Sequence, residues 1–181
     1  MSALFFCVGW IGLVVGENDV IVCSMKNIVR ILFVCHGNIC RSPMAEFVMK
    51  DLVAKEGVAD AFYIESAAVS SEEIGNAVYP PVKRLLSAKG ISCEGKYARK
   101  MTHLDYSNFD FLIGMDSDNI RRMHNICSGD VDGKIRLLKS FIGKPNGEVA
   151  DPWYSGDFTA TWNDVVAGCS AILQAYKNGT L

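Results

Sequence analysis

Cys35 and Arg41, six positions apart in VCHGNICRSP (34–43), are the pair in this 181-residue chain whose types and spacing could carry covalent chemistry. A cysteine thiolate is a strong nucleophile. An arginine guanidinium offers a planar fork of donors that grips two oxygens of a tetrahedral anion, which a lysine cannot match. Together they suit in-line attack on a phosphorus atom whose oxygens are held in place. Between them, His36, Gly37, Asn38, Ile39 and Cys40 form a turn that follows an apolar run and precedes a helix start. Successive N–H groups in such a turn can converge as a nest, and the helix adds partial positive charge, so the natural guest is an oxyanion of phosphate size. Gly37 is expected to let the backbone take that turn. The same surroundings favour the thiolate of Cys35, expected at the floor of the cradle with Arg41 at its rim. The spacing alone would arise by chance in roughly a quarter of shuffled versions of this composition. The strand before it, Ser42 and Pro43 after it and Gly37-Asn38 within it are what give it meaning.

The elements that must position this turn alternate short apolar runs with helical periods, the pattern of an α/β fold. The expected architecture is a three-layer doubly wound sandwich, with a four-stranded parallel sheet and helices on both faces. Strands are expected at 28–35, 62–67, 109–115 and 134–141. Ser42 is expected to cap the first helix with Pro43 at its first position, and Met44, Phe47, Val48 and Leu52 line one face. Pro80 and Pro81 announce a second helix ending at Gly90, and Asp116 is placed to cap a third running to about Met123. In the last helix Trp162, Val165, Val166, Cys169, Ile172, Leu173 and Tyr176 share a face that must pack on the sheet. The stretch GKPNGEVADPWYSGD (143–157) is expected to be a loop, and it contains an acid, Asp151.

Half of the residues are hydrophobic and 21% are charged, so the chain should bury a single core. The formal net charge of −2 excludes the basic footprint that nucleic acid or an anionic membrane surface requires. Seven cysteines, an odd number without a CxxC pair, fit reduced thiols and a cytoplasmic setting better than a secreted disulfide framework. No metal and no cofactor is expected, because the three histidines do not recur at ligand-like offsets from the cysteines. Residues 1–24 form an apolar N-terminal extension whose run at 3–15 falls short of the ~20 residues needed to span a bilayer. The first basic residue is Lys26, which does not suit a secretory signal. The expectation is either an extra strand or helix packed on the domain, or a start site called too early, with Met25 opening the domain at 25–181.

VCHGNICRSPMAE (34–46) resembles the signature of the low-molecular-weight protein tyrosine phosphatases, and ADPWY (150–154) resembles the acid loop of that family. The likeness runs from residue 27 to about 176 and includes SAAVSSEEIGN (66–76) and GMDSDN (114–119). It implies a nucleophile at Cys35, a phosphate-gripping arginine at Arg41 and a general acid at Asp151. It further implies that Ser42 hydrogen-bonds the thiolate and Asn38 holds the loop in shape. His36, Gly37, Ile39 and Cys40 would line the substrate cradle, and Trp153 and Tyr154 would wall a slot for a phenyl ring. Cys40 would be a second thiol able to close a protective disulfide with Cys35. The activity implied is hydrolysis of phosphotyrosine and aryl phosphate monoesters through a phosphocysteine, by a monomer or weak dimer. One departure stands out. Where some members carry a histidine before the Ala98-Arg99 pair, supporting the loop asparagine, this chain has Lys96.

Two other activities share the cradle. Thioredoxin-coupled arsenate reductases relay oxidation through further cysteines, and between residues 90 and 110 this chain offers Cys93 alone. Protein arginine phosphatases tend to carry a threonine where this chain has Ile39, so the isoleucine favours a tyrosine-directed pocket. A purely phosphate-binding or redox-sensing module would lack the acid, which is present here as Asp151.

Overall fold

The computed structural model describes residues 28–181 and, before them, the backbone of three short strands; the side chain of Tyr154 and all side chains before residue 28 lie outside the described residues. The early strands are β1 (Cys7–Val8), β2 (Ile11–Val15) and β3 (Val20–Cys23), paired antiparallel in that order. The packing of the 1–24 extension on the domain, expected above, lies outside the described residues. Met25 lies outside the described residues.

The main sheet holds β4 (Val29–Cys35), β5 (Phe62–Ala68), β6 (Phe111–Gly114) and β7 (Ile135–Leu137), all parallel, in the order β5-β4-β6-β7. The helices are α1 (Arg41–Lys55), α2 (Pro80–Ala88), α3 (Leu104–Asn108), α4 (Ser117–Cys127), α5 (Pro152–Ser155) and α6 (Phe158–Lys177). β4 is apolar along its length because both of its faces are covered. Ile31 and Phe33 pack with Met44, Val48 and Met49 of α1 and with Val165, Cys169 and Ile172 of α6. Leu32 and Val34 pack on the other side with Leu112, Phe109 and Met123, the last from α4. The three-layer α/β sandwich expected from the sequence is the fold observed.

The topology also places the site. From β4 the chain passes through α1 to β5 on one side, then crosses to β6 on the other, so the direction of winding reverses at β4. In such sheets ligands bind beyond the carboxyl end of the strand where the winding reverses, and residues 36–40 lie there.

Several boundaries differ from expectation. α1 begins at Arg41, its N-cap is Cys40, and no side chain caps it. Ser42 therefore caps nothing, and Pro43 is the third helical residue rather than the first. Proline is tolerated there because the first-turn N–H groups have no intrahelical acceptor. The fourth strand is short, and 138–142 turn into a 3₁₀ helix. The expected loop at 143–157 contains α5, and α3 was not foreseen.

Candidate active site

The chain folds its cysteine–arginine turn into the floor of a cleft of about 440 Å³, lined among others by Cys35, Ile39, Cys40, Arg41, Asp116, Asp151 and Trp153. Cys35 ends β4 and is buried, with its Sγ 3.0 Å from Ser42 Oγ and 3.3 Å from the Asn38 N–H that donates to it. Ser42 Oγ thus lies against the sulfur and within 3.4 Å of the Ala67 carbonyl instead of at a helix cap. Among the described residues, the N–H groups of Gly37, Ile39 and Cys40 have no acceptor. They remain available for an anion in the cleft.

The residue that bends the turn is Asn38, not Gly37. Asn38 has φ +58°, in the left-handed region, while Gly37 does not. An asparagine tolerates this conformation better than most residues, and its side chain here is fully engaged. Its Nδ2 donates to Ser42 Oγ (2.9 Å) and Ser66 Oγ (2.7 Å), and its Oδ1 accepts from the Arg99 N–H (3.1 Å). Gly37 is constrained by proximity instead: a Cβ there would lie 3.0 Å from Glu73 Cγ.

Arg41 lines the cleft as a buried side chain rather than as an exposed rim residue. Its side chain is 5% exposed, with one terminal nitrogen 2.6 Å from Asp116 Oδ2 and the other 2.6 Å from Asp151 Oδ2. Burial works against the charge, but the anions of Cys35, Asp151 and Asp116 outweigh it and hold the guanidinium pKa above its ordinary value. Asp116 was expected to cap α4, and it does, accepting from the Asn119 N–H at 2.7 Å. The same carboxylate also orients Arg41, which capping logic alone does not reveal. Asp151 is the N-cap of α5, accepting from the Trp153 N–H at 3.0 Å.

Cys40 is buried beside the floor, and its thiol is pushed up to about 12, by burial first and then by the Cys35 and Asp151 charges. Ile39 is buried against the core and lines the cleft. His36 stands at the mouth with Nε2 3.0 Å from Glu72 Oε2. Trp153 is 60% exposed and lies 5.6 Å, centroid to centroid, from Tyr79, which in turn stacks on Phe158 at 6.2 Å. Tyr79, which the sequence reading did not single out, thus supports Trp153 from behind without being among the residues that line the cleft. Tyr79 is also tied to the turn, since its N–H donates to the Ile39 carbonyl at 2.9 Å. Tyr154 belongs to α5, but its side chain lies outside the described residues. Cys93 is buried in the core and does not line the cleft.

Lys96 does not replace a supporting histidine by contacting Asn38. Its Nζ reaches Glu46 Oε2 (2.8 Å) and the Ser66 carbonyl (3.0 Å), one step further back. Glu46 and Ser66 were likewise not singled out by the sequence reading. No spacing rule connects residues 20 and 50 positions apart.

Comparison with known proteins agrees with the geometry. The family model for low molecular weight phosphotyrosine protein phosphatase matches residues 30–179. The chain is 34% identical over 150 residues to the low molecular weight protein-tyrosine-phosphatase YfkJ of Bacillus subtilis, covering 82% of this chain and 96% of that one. Against the crystal structure of YfkJ the TM-score is 0.82, covering 87% and 99% of the two chains. The low molecular weight phosphotyrosine protein phosphatase of Sus scrofa is 36% identical over 151 residues, covering 81% of this chain and 95% of that one. The crystal structure of a Drosophila arginine phosphatase matches with TM-score 0.73 and 32% identity, covering 81% and 97%. With the family model spanning the cleft and all of the main sheet but Val29, the chain belongs to the low molecular weight phosphotyrosine protein phosphatase family, hydrolases of phosphotyrosine.

Proposed function

We propose that this chain hydrolyses phosphotyrosine and aryl phosphate monoesters in two steps on Cys35. The carrying observation is convergence: the Cys35 sulfur, the Arg41 guanidinium and the Asp151 carboxyl line one cleft at the carboxyl end of β4. In the first step the Cys35 thiolate attacks phosphorus, the bond to the phenol oxygen breaks, and Asp151 as a carboxylic acid protonates the departing oxygen. In the second step the Asp151 carboxylate takes a proton from water, and that water attacks phosphorus. The S–P bond breaks, releasing inorganic phosphate and regenerating the thiolate. Arg41 and the free N–H groups of the turn stabilise charge on the equatorial oxygens throughout. Cys40 remains a thiol at neutral pH, which leaves the nucleophile's role to Cys35.

Asp151 sits on Arg41 in the structure, so the substrate phosphate must take that fork from it as it binds. Displacement frees the acid for the leaving oxygen. The free thiols Cys35, Cys40, Cys93, Cys127 and Cys169 support a cytoplasmic setting. Under peroxide, a Cys35 sulfenic acid attacked by the Cys40 thiol would lose water to form a disulfide, which a cellular dithiol would reduce.

An aryl phosphate should be turned over without added metal. Activity should vanish in Cys35→Ser and fall roughly 10²–10⁴-fold in Asp151→Ala. The rate profile should be bell-shaped and lean to acid pH, since Cys35 must be ionised while Asp151 is protonated; a rate climbing steadily into alkaline pH overturns the assignment. Phosphoarginine run beside phosphotyrosine decides against the arginine-directed reading if it is the poorer substrate, as Ile39 predicts.

A further inference from the structure

Two polar side chains near the start of α6 take no part in the two-step reaction, yet both reach the residue that precedes the acid. Thr161 is fully buried, and its Oγ1 donates to the Ala150 carbonyl at 2.8 Å. Asp164, one turn further on, accepts from the Ala150 N–H through Oδ2 at 3.1 Å. Its other oxygen is held at 2.6 Å by Lys139 Nζ, from the 3₁₀ turn after β7. Helix formation asks for neither residue. Threonine and aspartate are both weak helix formers, and a buried hydroxyl costs free energy unless it is bonded. Thr161 has a second carbonyl in reach, that of Asp157 one turn back at 3.3 Å, but it has a single proton and Ala150 is the nearer acceptor.

These bonds close the root of the acid-bearing segment. Val149 donates its N–H at 2.8 Å to the carbonyl of Met115, just past the end of β6, and Ala150 is then held at both its N–H and its C=O. The peptide unit is planar, so fixing the Ala150 carbonyl also fixes the nitrogen of Asp151. From Asp151 to Ser155, the Arg41 pair aside, the hydrogen bonds among the described residues are local. Asp151 accepts from the Trp153 N–H, and Ser155 Oγ donates to the Asp151 carbonyl at 3.1 Å, so these bonds move with the segment. Trp153 touches Tyr79 but is itself mostly exposed. The firm tie on the acid is its ion pair with Arg41, which the substrate phosphate takes over. When the leaving oxygen needs its proton, the root is what keeps Asp151 above the cleft.

We propose that Thr161 and Asp164, the latter set by Lys139, are positioning residues for the general acid. By pinning the residue before Asp151 at both of its backbone polar groups, they hold the carboxyl within reach of the leaving oxygen once Arg41 is engaged with phosphate. The proposal rests on Asp151 being the acid, and it extends that reading to the first two turns of the helix that places it. A general acid must come within hydrogen-bond distance of the atom it protonates. Loosening the root by about an ångström therefore weakens proton transfer, while phosphate binding, which depends on residues 36–41, is retained.

The test is a series of aryl phosphates whose leaving groups run from 4-nitrophenol, which departs readily as an anion, to unsubstituted phenol, which needs the proton. It is read as kcat/KM, which covers the steps up to loss of the phenol. Thr161→Val keeps the shape and removes the donor. It should lower kcat/KM roughly 10-fold for phenyl phosphate and less than about 3-fold for 4-nitrophenyl phosphate, and Thr161→Ser should restore both. Asp164→Ala should show the same gradient. In the Asp151→Ala background the Thr161→Val increment should vanish, because the group it positions is gone. A loss that is equal across the series overturns the proposal, since a general structural fault does not sense the leaving group. So does the absence of any loss, and so does an increment that survives undiminished without Asp151. Should Thr161→Val not fold, the gradient in Asp164→Ala decides by the same criteria. Failure of the acid assignment would show separately, as Asp151→Ala slowing every leaving group alike.

Discussion

The two carboxylates on Arg41 differ in how firmly they are held, and in the proposed mechanism Asp151 is the one that does chemistry. Asp116 is committed: it caps α4 and holds one Arg41 nitrogen from the same side chain. Asp151 holds the other nitrogen from a four-residue helix and is 27% exposed, so it is the partner that can leave. A phosphate entering the cleft competes with Asp151 for that donor and meets its negative charge at close range. Asp151→Asn should therefore bind inorganic phosphate or vanadate roughly 3–10-fold more tightly at neutral pH while losing turnover, since removing a nearby like charge is worth about a factor of ten at most in a partly solvated site. Competitive inhibition of the residual activity measures this. Unchanged or weaker binding would mean that the acid leaves Arg41 without cost.

At the scale of elements, legibility followed length and local pattern. β4 was readable because a strand covered on both faces is uniformly apolar, and α6 because seven apolar residues recur on one face over 20 residues. α3 and α5 were not, since helices of five and four residues carry too little periodicity to stand out from a loop. The cradle was readable from Cys35 to Ser42 because its chemistry is contiguous. What lay around it was not: the positive φ fell on Asn38 rather than Gly37, Glu73 crowded Gly37, and Glu46 and Lys96 met through the fold. Ser42 misled for a physical reason, since a serine before proline reads as a cap until a sulfur claims its hydroxyl. Close packing between elements was equally hidden. Gly168 of α6 lies so near the 3₁₀ turn after β7 that a Cβ there would fall 2.5 Å from Cγ of the fully buried Leu138. Gly168→Ala should lower stability by about 1–3 kcal/mol despite alanine's better helix propensity, because overpacking a closed core outweighs it. Thermal or denaturant unfolding checks this, and turnover below the transition should stay near that of the parent.

At the scale of the molecule, an enzyme for dianionic substrates carries a net charge of −2, so its attraction for phosphate is confined to the floor of one cleft. The walls oppose it. Glu72, Glu73 and Asp118 line the upper cleft, and His36 is paired to Glu72 rather than left free to meet an anion. Hydrogen bonding from His36 also holds the Glu72 carboxyl below its ordinary range. A phosphotyrosine flanked by acidic residues would bring further like charge within about a Debye length of these carboxylates, whereas lysine or arginine neighbours would be drawn to them. Phosphotyrosine peptides with basic flanks should therefore exceed their acidic counterparts in kcat/KM by roughly 10-fold at low ionic strength, with the gap narrowing as salt is raised toward 0.5 M. A small aryl phosphate with an uncharged ring, which reaches the floor without crossing the rim at full length, should show much less salt dependence. Glu72→Gln combined with Glu73→Gln should shrink the difference between peptides while leaving that small substrate largely unaffected. Equal rates for the two peptides at low salt would show that the rim does not select, and that recognition ends at the phosphate and the ring.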